Sequence, residues 1–484
     1  MSISSALANA LTGLAATARA ANVTSSNLAN VLTEGYAPRS VELSAQTLGQ
    51  RSGVQVVGVT RQVDMALLAD RRLADAELAY TGTLVDFADQ LERLIGIPGE
   101  PGSLSTRIAD FDASLISAAS KPEAEERLFA AVARADELAT ALRAASSDVQ
   151  ARRTEADSQI ARAVDTVNTT LEQIQRLNVQ IGAAGGDSGV TASLEDQRQR
   201  LIDRLSEFVP TRQVPRDSGS VALFTPGGAV LLDGTAATLE FSQSNVIAPQ
   251  MALQNGLLSG LQINGVSVAP SGDASPVRGG KLAALFEIRD LHAPDAQTQL
   301  DALARDLIER FQAPGLDPTL GAADAGLFTD AGARFDVVDE VGVSGRIALN
   351  SSVDPDAGGA LWRLRNGLGA AAPGAPGDAT LLQAFQSAVS VATSLGSGDL
   401  GLTARSLSEH LSSFVSRIGQ QRLTQENALS FAAVLQSELA MLERENGVDT
   451  DAELQKLLLI EQAYAANARL IETADDMIQT LLRI

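Results

Sequence analysis

Nucleophiles, metal ligands and acid–base pairs need particular side chains at particular spacings. This chain of 484 residues has no cysteine and two histidines, His292 and His410. Thiolate chemistry, disulfides and cysteine zinc sites are therefore excluded. A zinc site would need carboxylates for most of its ligands, and neither histidine stands in a recognisable triad setting. Asp317, Asp324 and Asp330 share a loop, but their spacing fits no EF-hand, so they read as turn residues. Asp475 and Asp476 are neighbours on a predicted helix and point about 100° apart, unsuited to paired acid–base work. The glycine loop LIGIPGEPGS (94–103) lacks the lysine of a phosphate cradle, and no G-x-S-x-G elbow occurs. These residues predict no enzyme, no metal site and no cofactor.

What the spacing supports is helix association. Thr450-Asp-Ala-Glu453 predicts a capping-box start for a last helix, just after a stop at Asn446-Gly447. Leu457, Ile460, Tyr464, Asn467, Ile471, Ala474, Ile478 and Leu481 then alternate at three and four residues, a heptad seam that is apolar except for Asn467. One helix cannot bury such a seam alone. At the other end Ile3, Leu7, Ala10, Leu14, Thr17, Ala21, Thr24, Leu28 and Val31 repeat the same spacing. Matched seams predict that the first and last helices pack together and the middle is inserted between them. Periodicity equally allows each helix a separate core. Asn467 at a seam position would trade stability for register.

Residue identity adds to periodicity. LLLIEQAYAANARLIETADDMIQTLLRI (457–484) and SSNLANVLTEGYAPR (25–39) resemble the terminal signatures of bacterial flagellar axial proteins, the rod, hook and hook-associated proteins. GVDTDAEL (447–454) and AANARLIETADDM (465–477) are most similar to the hook-associated protein 1 family. The family's turn resembles N-[IV]-A-N-x-N-T-x-G-Y. Asn27, Ala29, Asn30, Thr33, Gly35 and Tyr36 match it, whereas Leu32 stands where Asn is usual and Glu34 where Pro is common. SLEDQRQRLIDRLSEFV (193–209) resembles the helix that this family carries before its outer domain. Gly279, Gly280, Arg289 and Asp290 match the family's return to the helical domain, and Gly315, Asp317, Gly326 and Phe328 its following loop. Taken physically, Arg289 and Asp290 are expected to form a solvent-exposed pair.

The resemblance implies a structural role. Subunits would form a ring at the distal end of the hook and join it to the filament. Hook protein would lie on one side and a second junction protein on the other. Terminal helices would line the tube core, with long helices next and a β domain outermost. An export chaperone would bind the C-terminal helix, and export through the flagellar type III channel would deliver the chain outside the cell without cleavage. Two alternatives remain open: another axial component of hook or rod, or a secreted extended coiled-coil adhesin or effector.

Composition bounds the rest. Net charge is −22, with 59 acidic against 37 basic residues and no basic patch, which predicts no nucleic-acid partner. No run reaches the ~18 apolar residues of a membrane span. Ala18-Arg-Ala20 resembles a signal-peptidase site, but no Lys or Arg precedes Arg19, so no cleaved signal is expected. High alanine and only 4% aromatic residues favour long thin helical packing.

The predicted fold is mostly α and multidomain, with long coiled-coil or bundle helices from both chain ends and an inserted antiparallel β domain. Residues 1–40 with 449–484 would form the terminal coiled coil. Residues 41–208, 279–330 and 379–448 would form a long-helix domain. The short runs VALFT, AVLLDG, TLEFS, NVIAP and GVSVA would build the β domain over 209–278, with a small mixed region at 331–378. VQVVGV (54–59) reads as a strand, and 61–95 as a helix interrupted at Thr81-Gly-Thr83. From Glu123 to Ile181 there is no Gly or Pro, and two apolar stripes join through a stutter near Arg153. Ser406 to Glu445 reads as another long helix. The assembly seam is assigned to Ile3, Leu7, Leu14, Leu28, Leu457, Ile460, Tyr464, Asn467, Ile471, Ile478 and Leu481. The family turn is assigned to Asn27, Asn30, Gly35 and Tyr36.

Overall fold

Uninterrupted helix sets the architecture. The computed structural model describes residues 3–33, 35–46, 53–97, 99–184, 188–399 and 403–483. In chain order the helices are α1 (Ile3–Ala29), α2 (Met65–Ile95), α3 (Leu104–Ser120), α4 (Glu125–Ala183), α5 (Ser188–Phe208), α6 (Gly280–Glu287), α7 (Ala293–Phe311), α8 (Trp362–Asn366), α9 (Thr380–Ser390), α10 (Leu407–Glu445) and α11 (Thr450–Leu482). The run free of Gly and Pro becomes α4, 59 residues long and therefore about 88 Å. α2 runs unbroken through Gly82, against the expected interruption, because Leu84, Val85, Phe87 and Ala88 beyond it are buried and the helix packs along α10; the Thr81 and Thr83 hydroxyls donate back to Glu77 O and Ala79 O. Its start is Met65, since Arg61 ends a strand and Asp64 caps the helix. Ser406 and Glu409 form a capping box on α10. The cap of α11 is Asp449 instead of the expected Thr450, and Glu453 pairs with Lys456.

Strands are short. β1 (Arg39–Gln46) pairs antiparallel with β2 (Gly53–Arg61). β3 (Arg212–Pro215), β4 (Val221–Phe224), β5 (Val230–Asp233) and β6 (Thr235–Ala236) form one antiparallel sheet. β7 (Leu239–Glu240), β8 (Leu261–Ile263) and β9 (Val266–Val268) form another. β10 (Phe328–Asp330) pairs with β11 (Ile347–Leu349). The NVIAP run, expected as a strand, is irregular chain that bonds to α4 through Ile247 N and Thr154 Oγ1. At the return from the sheets, Gly279 and Gly280 have φ of 82° and 71°. A Cβ at Gly280 would lie 2.5 Å from Phe208 O, so the close approach of α6 to the end of α5 demands glycine.

Two buried apolar clusters divide the body. One joins α3, the first half of α4 as far as Ala156, α7, and residues from 327 to 418 of the following chain. Phe111, Phe311, Phe328 and Phe385 stack there with ring centroids 5.2–5.9 Å apart. Segment 331–378 contributes Phe335, Val343, Ile347, Val353, Leu364 and Leu368 to it. The other joins the second half of α4 from Ile160 to Ile202 and Leu205 of α5, to the sheets and to α6. α10 lies antiparallel along α2, with Gln436 on Asp75 and Arg422 on Glu92. Outside the body, α1 packs on α11 and on the β1–β2 hairpin.

Between the clusters the pair expected to be exposed is instead drawn inward, with Arg289 fully buried and Asp290 half-buried. A π turn at Ile288–His292 follows α6 and aims Arg289 inward. Its guanidinium donates to Asp157 at 2.7 Å, to Asp290 at 2.8 Å and 2.9 Å, and to Ser259 O at 2.9 Å. Arg289 and Asp157 are both 0% exposed in their side chains, and Phe241 and Phe286 flank the guanidinium. Arg153, at the stutter, donates to Arg289 O, Ala248 O and Met251 O. Removing one partner of a buried pair costs about 3–5 kcal/mol, whereas an exposed pair contributes at most about 1 kcal/mol. Arg289→Met is therefore expected to lower the urea midpoint strongly and Arg216→Met, at the exposed pair with Asp233, barely. Equal shifts in the two denaturation curves would contradict this account.

Candidate functional site

The turn after α1 is built around one asparagine. Asn27, at 0% exposure, donates through Nδ2 to Arg39 O at 2.9 Å. Its Oδ1 accepts from Arg39 N at 3.1 Å and from the Tyr36 hydroxyl at 2.8 Å. A carboxylate could not supply the donor, nor an amine the acceptor, so the position requires an amide. Asn30 closes the helix end, donating to Ser26 O at 2.8 Å and accepting from Thr33 Oγ1 at 3.2 Å. Gly35 has φ of 72°, and a Cβ there would stand 2.6 Å from Cγ of Arg200 on α5. Thus Asn27, Asn30, Gly35 and Tyr36 meet in one place, seated on α5. Leu32 is 95% exposed beside them, and Glu34 lies outside the described residues.

The same turn delivers Arg39 to α5. Its guanidinium lies 4.8 Å over the Tyr36 ring and donates to Asp196 at 2.6 Å. Arg61, its cross-strand partner on β2, donates to the other oxygen of Asp196 at 2.6 Å and also to Gln199. Asp203, further along α5, receives Arg71 at 2.9 Å and Arg72 at 2.6 Å from α2. Arg71 also meets Asp75 at 2.5 Å and Glu443 of α10 at 2.5 Å. Burial opposes the charge on Arg71, but Asp203, Asp75 and Glu443 together hold its pKa above the ordinary value. Burial raises the Asp75 and Glu443 pKa values despite Arg71. α5 therefore fastens the segment just after α1 directly and, through Arg71 of α2, is linked to the segment just before α11.

The sequence singled out the α5 segment but not its partners. Asp196, Gln199 and Asp203 recur at three and four residues on a face where a free amphipathic helix would simply be solvated. Polar residues at core spacing were the available signal. Arg39, Arg61, Arg71 and Arg72 carried none, since they come from three separate elements, β1, β2 and α2.

The seam residues are placed as follows. Ile3, Leu7, Leu14, Leu28, Leu457, Ile460, Asn467, Ile471 and Ile478 are half-buried, while Tyr464 and Leu481 are exposed. Asn467 lies directly against Gly13, where a Cβ would be 2.8 Å from Oδ1. A second stripe of α11, not singled out from the sequence, is open: Leu459, Leu470 and Met477, with Ala463 and Ala466 between them.

The residues weighed for chemistry are engaged locally. Asp317 accepts from Thr319 N and Leu368 N, Asp324 from Gly321 N, and Asp330 pairs with Arg346. His410 bonds Thr393 O and His292 meets Gln421. Among the described residues no group of three His, Asp or Glu is placed to hold a metal, and no helix is long and apolar enough to cross a membrane.

Comparison with known proteins agrees with this layout. The model of the "Flagellar hook-associated protein FlgK helical domain" matches residues 88–319. Models of the flagellar basal body rod protein and of the rod protein C-terminal region match 7–36 and 441–484. Flagellar hook-associated protein 1 of Escherichia coli is 24% identical over 100% of both chains, and that of Bacillus subtilis 23% over 98% of this chain and 97% of its own. A solved flagellar hook junction protein from Burkholderia pseudomallei aligns with 24% identity and a TM-score of 0.43, over 55% of this chain and 46% of that one. Matches that run end to end, with the terminal models on the two helices that pack together, make this chain similar along its whole length to flagellar hook-associated protein 1.

Proposed function

We propose that this chain is a structural subunit of the bacterial flagellum, assembling as a ring at the distal end of the hook and joining it to the filament. Its partners are further copies of itself, hook protein on one side and a second junction protein on the other. It works outside the cell, reaches that place without a cleaved signal, and has no catalytic activity. The observation that carries this reading is α11. Its 33 residues fully bury just Glu453 and Ala474 among those described, while Leu454, Leu458, Leu459, Leu470, Met477 and Leu481 stay 46–64% exposed. Leu459, Leu470, Met477 and Leu481 share one exposed side of the helix, and an open apolar stripe of that length marks an interaction surface. α1 covers one stripe, and neighbouring copies cover the other. Ile3, Leu7, Leu14, Leu28, Leu457, Ile460, Tyr464, Asn467, Ile471, Ile478 and Leu481 form the assembly seam in this reading.

Cells lacking the protein should carry hooks without filaments, visible by electron microscopy. Two substitutions separate the stripes. Ile471→Asp strikes the half-buried stripe and Leu470→Asp the open one. Each buries an unpaired carboxylate on assembly, at several kcal/mol in every subunit. Both variants should leave filament counts near zero while purified subunits melt nearly as wild type, because the two body cores hold no residue of α11. Normal filaments on Leu470→Asp cells would refute the open stripe as an interface.

The same exposed face is an aggregation hazard before export. A small helical chaperone is expected to bind within 440–484. A chain ending at Glu445 should lose that binding, and equal affinity for the two would refute it. Free subunits should be cut by protease within Met1–Asn30 and Asp451–Ile484 and be protected once assembled. Intact ends in the free subunit would overturn that expectation.

A further inference from the structure

The end of α4 lies beside the start of α5, and one polar chain crosses both. Asn178 of α4 donates through Nδ2 to Val221 O at 2.9 Å and accepts through Oδ1 from Val221 N at 3.3 Å. Its amide thus meets both backbone groups of the first residue of β4, as a neighbouring strand would. Asn168 does the same to Leu239 of β7, at 2.8 Å in each direction. Gln175 accepts from Ala236 N of β6 at 2.8 Å. Side chains of α4 therefore act as strand partners at the edge strands β6 and β7 and at the start of the inner strand β4.

Asn178 Oδ1 has a second donor. Arg198 of α5 reaches it at 2.9 Å and, from the same nitrogen, reaches Gly219 O at 2.7 Å in the turn before β4. Arg198 is 6% exposed, and burial drives its pKa down to about 10. It lies between Asp196 and Gln199, the two residues that hold Arg39 and Arg61 of the β1–β2 hairpin. One turn of α5 thus grips the β domain on one side and the hairpin beneath the terminal helices on the other.

We infer that this turn of α5 locks the β domain and the β1–β2 hairpin into one fixed orientation, with Asn178 and Arg198 as the positioning residues. Domains joined within one chain move relative to each other unless their interface is large and apolar, and α4, α5 and the sheets share one apolar core. On this core the joint adds buried polar contacts, and Asn178, Arg198, Arg39 and Arg61 each hold a partner that rotation would remove. The direction in which the outer domain projects is then set by the same helix that seats the terminal turn. Every copy in an assembly would present it alike.

The chain has no cysteine, so spin labels can be placed at will. Val57→Cys on β2 and Val266→Cys on β9 sit at 57% and 64% exposure. Double electron–electron resonance on the full chain carrying both labels should give one narrow distance peak. Adding Asn178→Ala with Arg198→Met should lose that peak to a broad distribution. Adding Arg216→Met instead, at an exposed ion pair in the same domain, should leave it unchanged. A peak as narrow in the double variant as in the parent overturns the inference, and so does a broad distribution in the parent. Should circular dichroism show the double variant unfolded, Asn178→Ser alone is read in its place, with the same two outcomes.

Discussion

Two carboxylates of α5, Asp196 and Asp203, hold four arginines drawn from β1, β2 and α2. The rest of the arrangement depends on where that helix points them. Exposed pairs such as Arg176–Glu172, with both side chains more than 60% exposed, contribute at most about 1 kcal/mol. At Asp196 the carboxylate is 6% exposed and Arg39 and Arg61 are each 13% exposed, so losing one partner leaves a desolvated charge. Such pairs are poor sources of net stability but strong selectors of geometry. What turns α5 to the right angle is apolar: Ile202 and Leu205 pack into the core shared with α4 and the sheets. Burial sets the rotation of the helix, and rotation sets the joint.

α4 shows the same order of causes. Its apolar stripes change register near Arg153, and the change coincides with the passage from one core to the other. A helix that served one core could keep one stripe. Serving two requires it to turn a different face at the boundary, and the residues left there cannot be apolar to both sides. Arg153 and Asp157 occupy that boundary, and the π turn at Ile288–His292 brings Arg289 to neutralise Asp157. The extra residue of the π turn is what aims Arg289 inward. The buried ion pair is thus a consequence of joining two cores by a single helix.

How much of this the sequence reveals follows from what kind of constraint each part obeys. α1, α4, α10 and α11 are legible because their periods are local and uninterrupted. The sheets are legible as β but not strand by strand: β3 and β8 carry none of the runs singled out in the sequence, while NVIAP is expected as a strand and is irregular chain. Isolated runs of three or four residues cannot declare whether a partner waits for them. Arg289 was legible as a family match but misjudged as exposed, because its partners Asp157 and Ser259 lie far away in sequence. At the joint, Asn27, Gly35 and Tyr36 stand out by type. Arg39 and Arg61 do not, since an arginine at a strand end is ordinary until a carboxylate from α5 meets it.

The terminal pair obeys a different balance from the body. α4 buries residues from Leu128 to Ile181 along its whole length, because other elements surround it. α1 buries Ala10, Ala16, Thr24 and Asn27, and α11 buries Glu453 and Ala474. The buried positions are small or polar, so close approach replaces apolar volume. The contact of Gly13 with Asn467 is the clearest case, since any side chain at Gly13 would push the amide away. Each fully buried large apolar side chain is worth about 1.5–3 kcal/mol, and this pair fully buries none among the described residues. An isolated helix pair with so little burial is marginal against the entropy of ordering it. The large residues, Leu459, Leu470, Met477 and Leu481, stand outward instead. On the proposed reading that division is functional: the small face sets the distance between the two helices of one subunit, and the large face is kept for its neighbours.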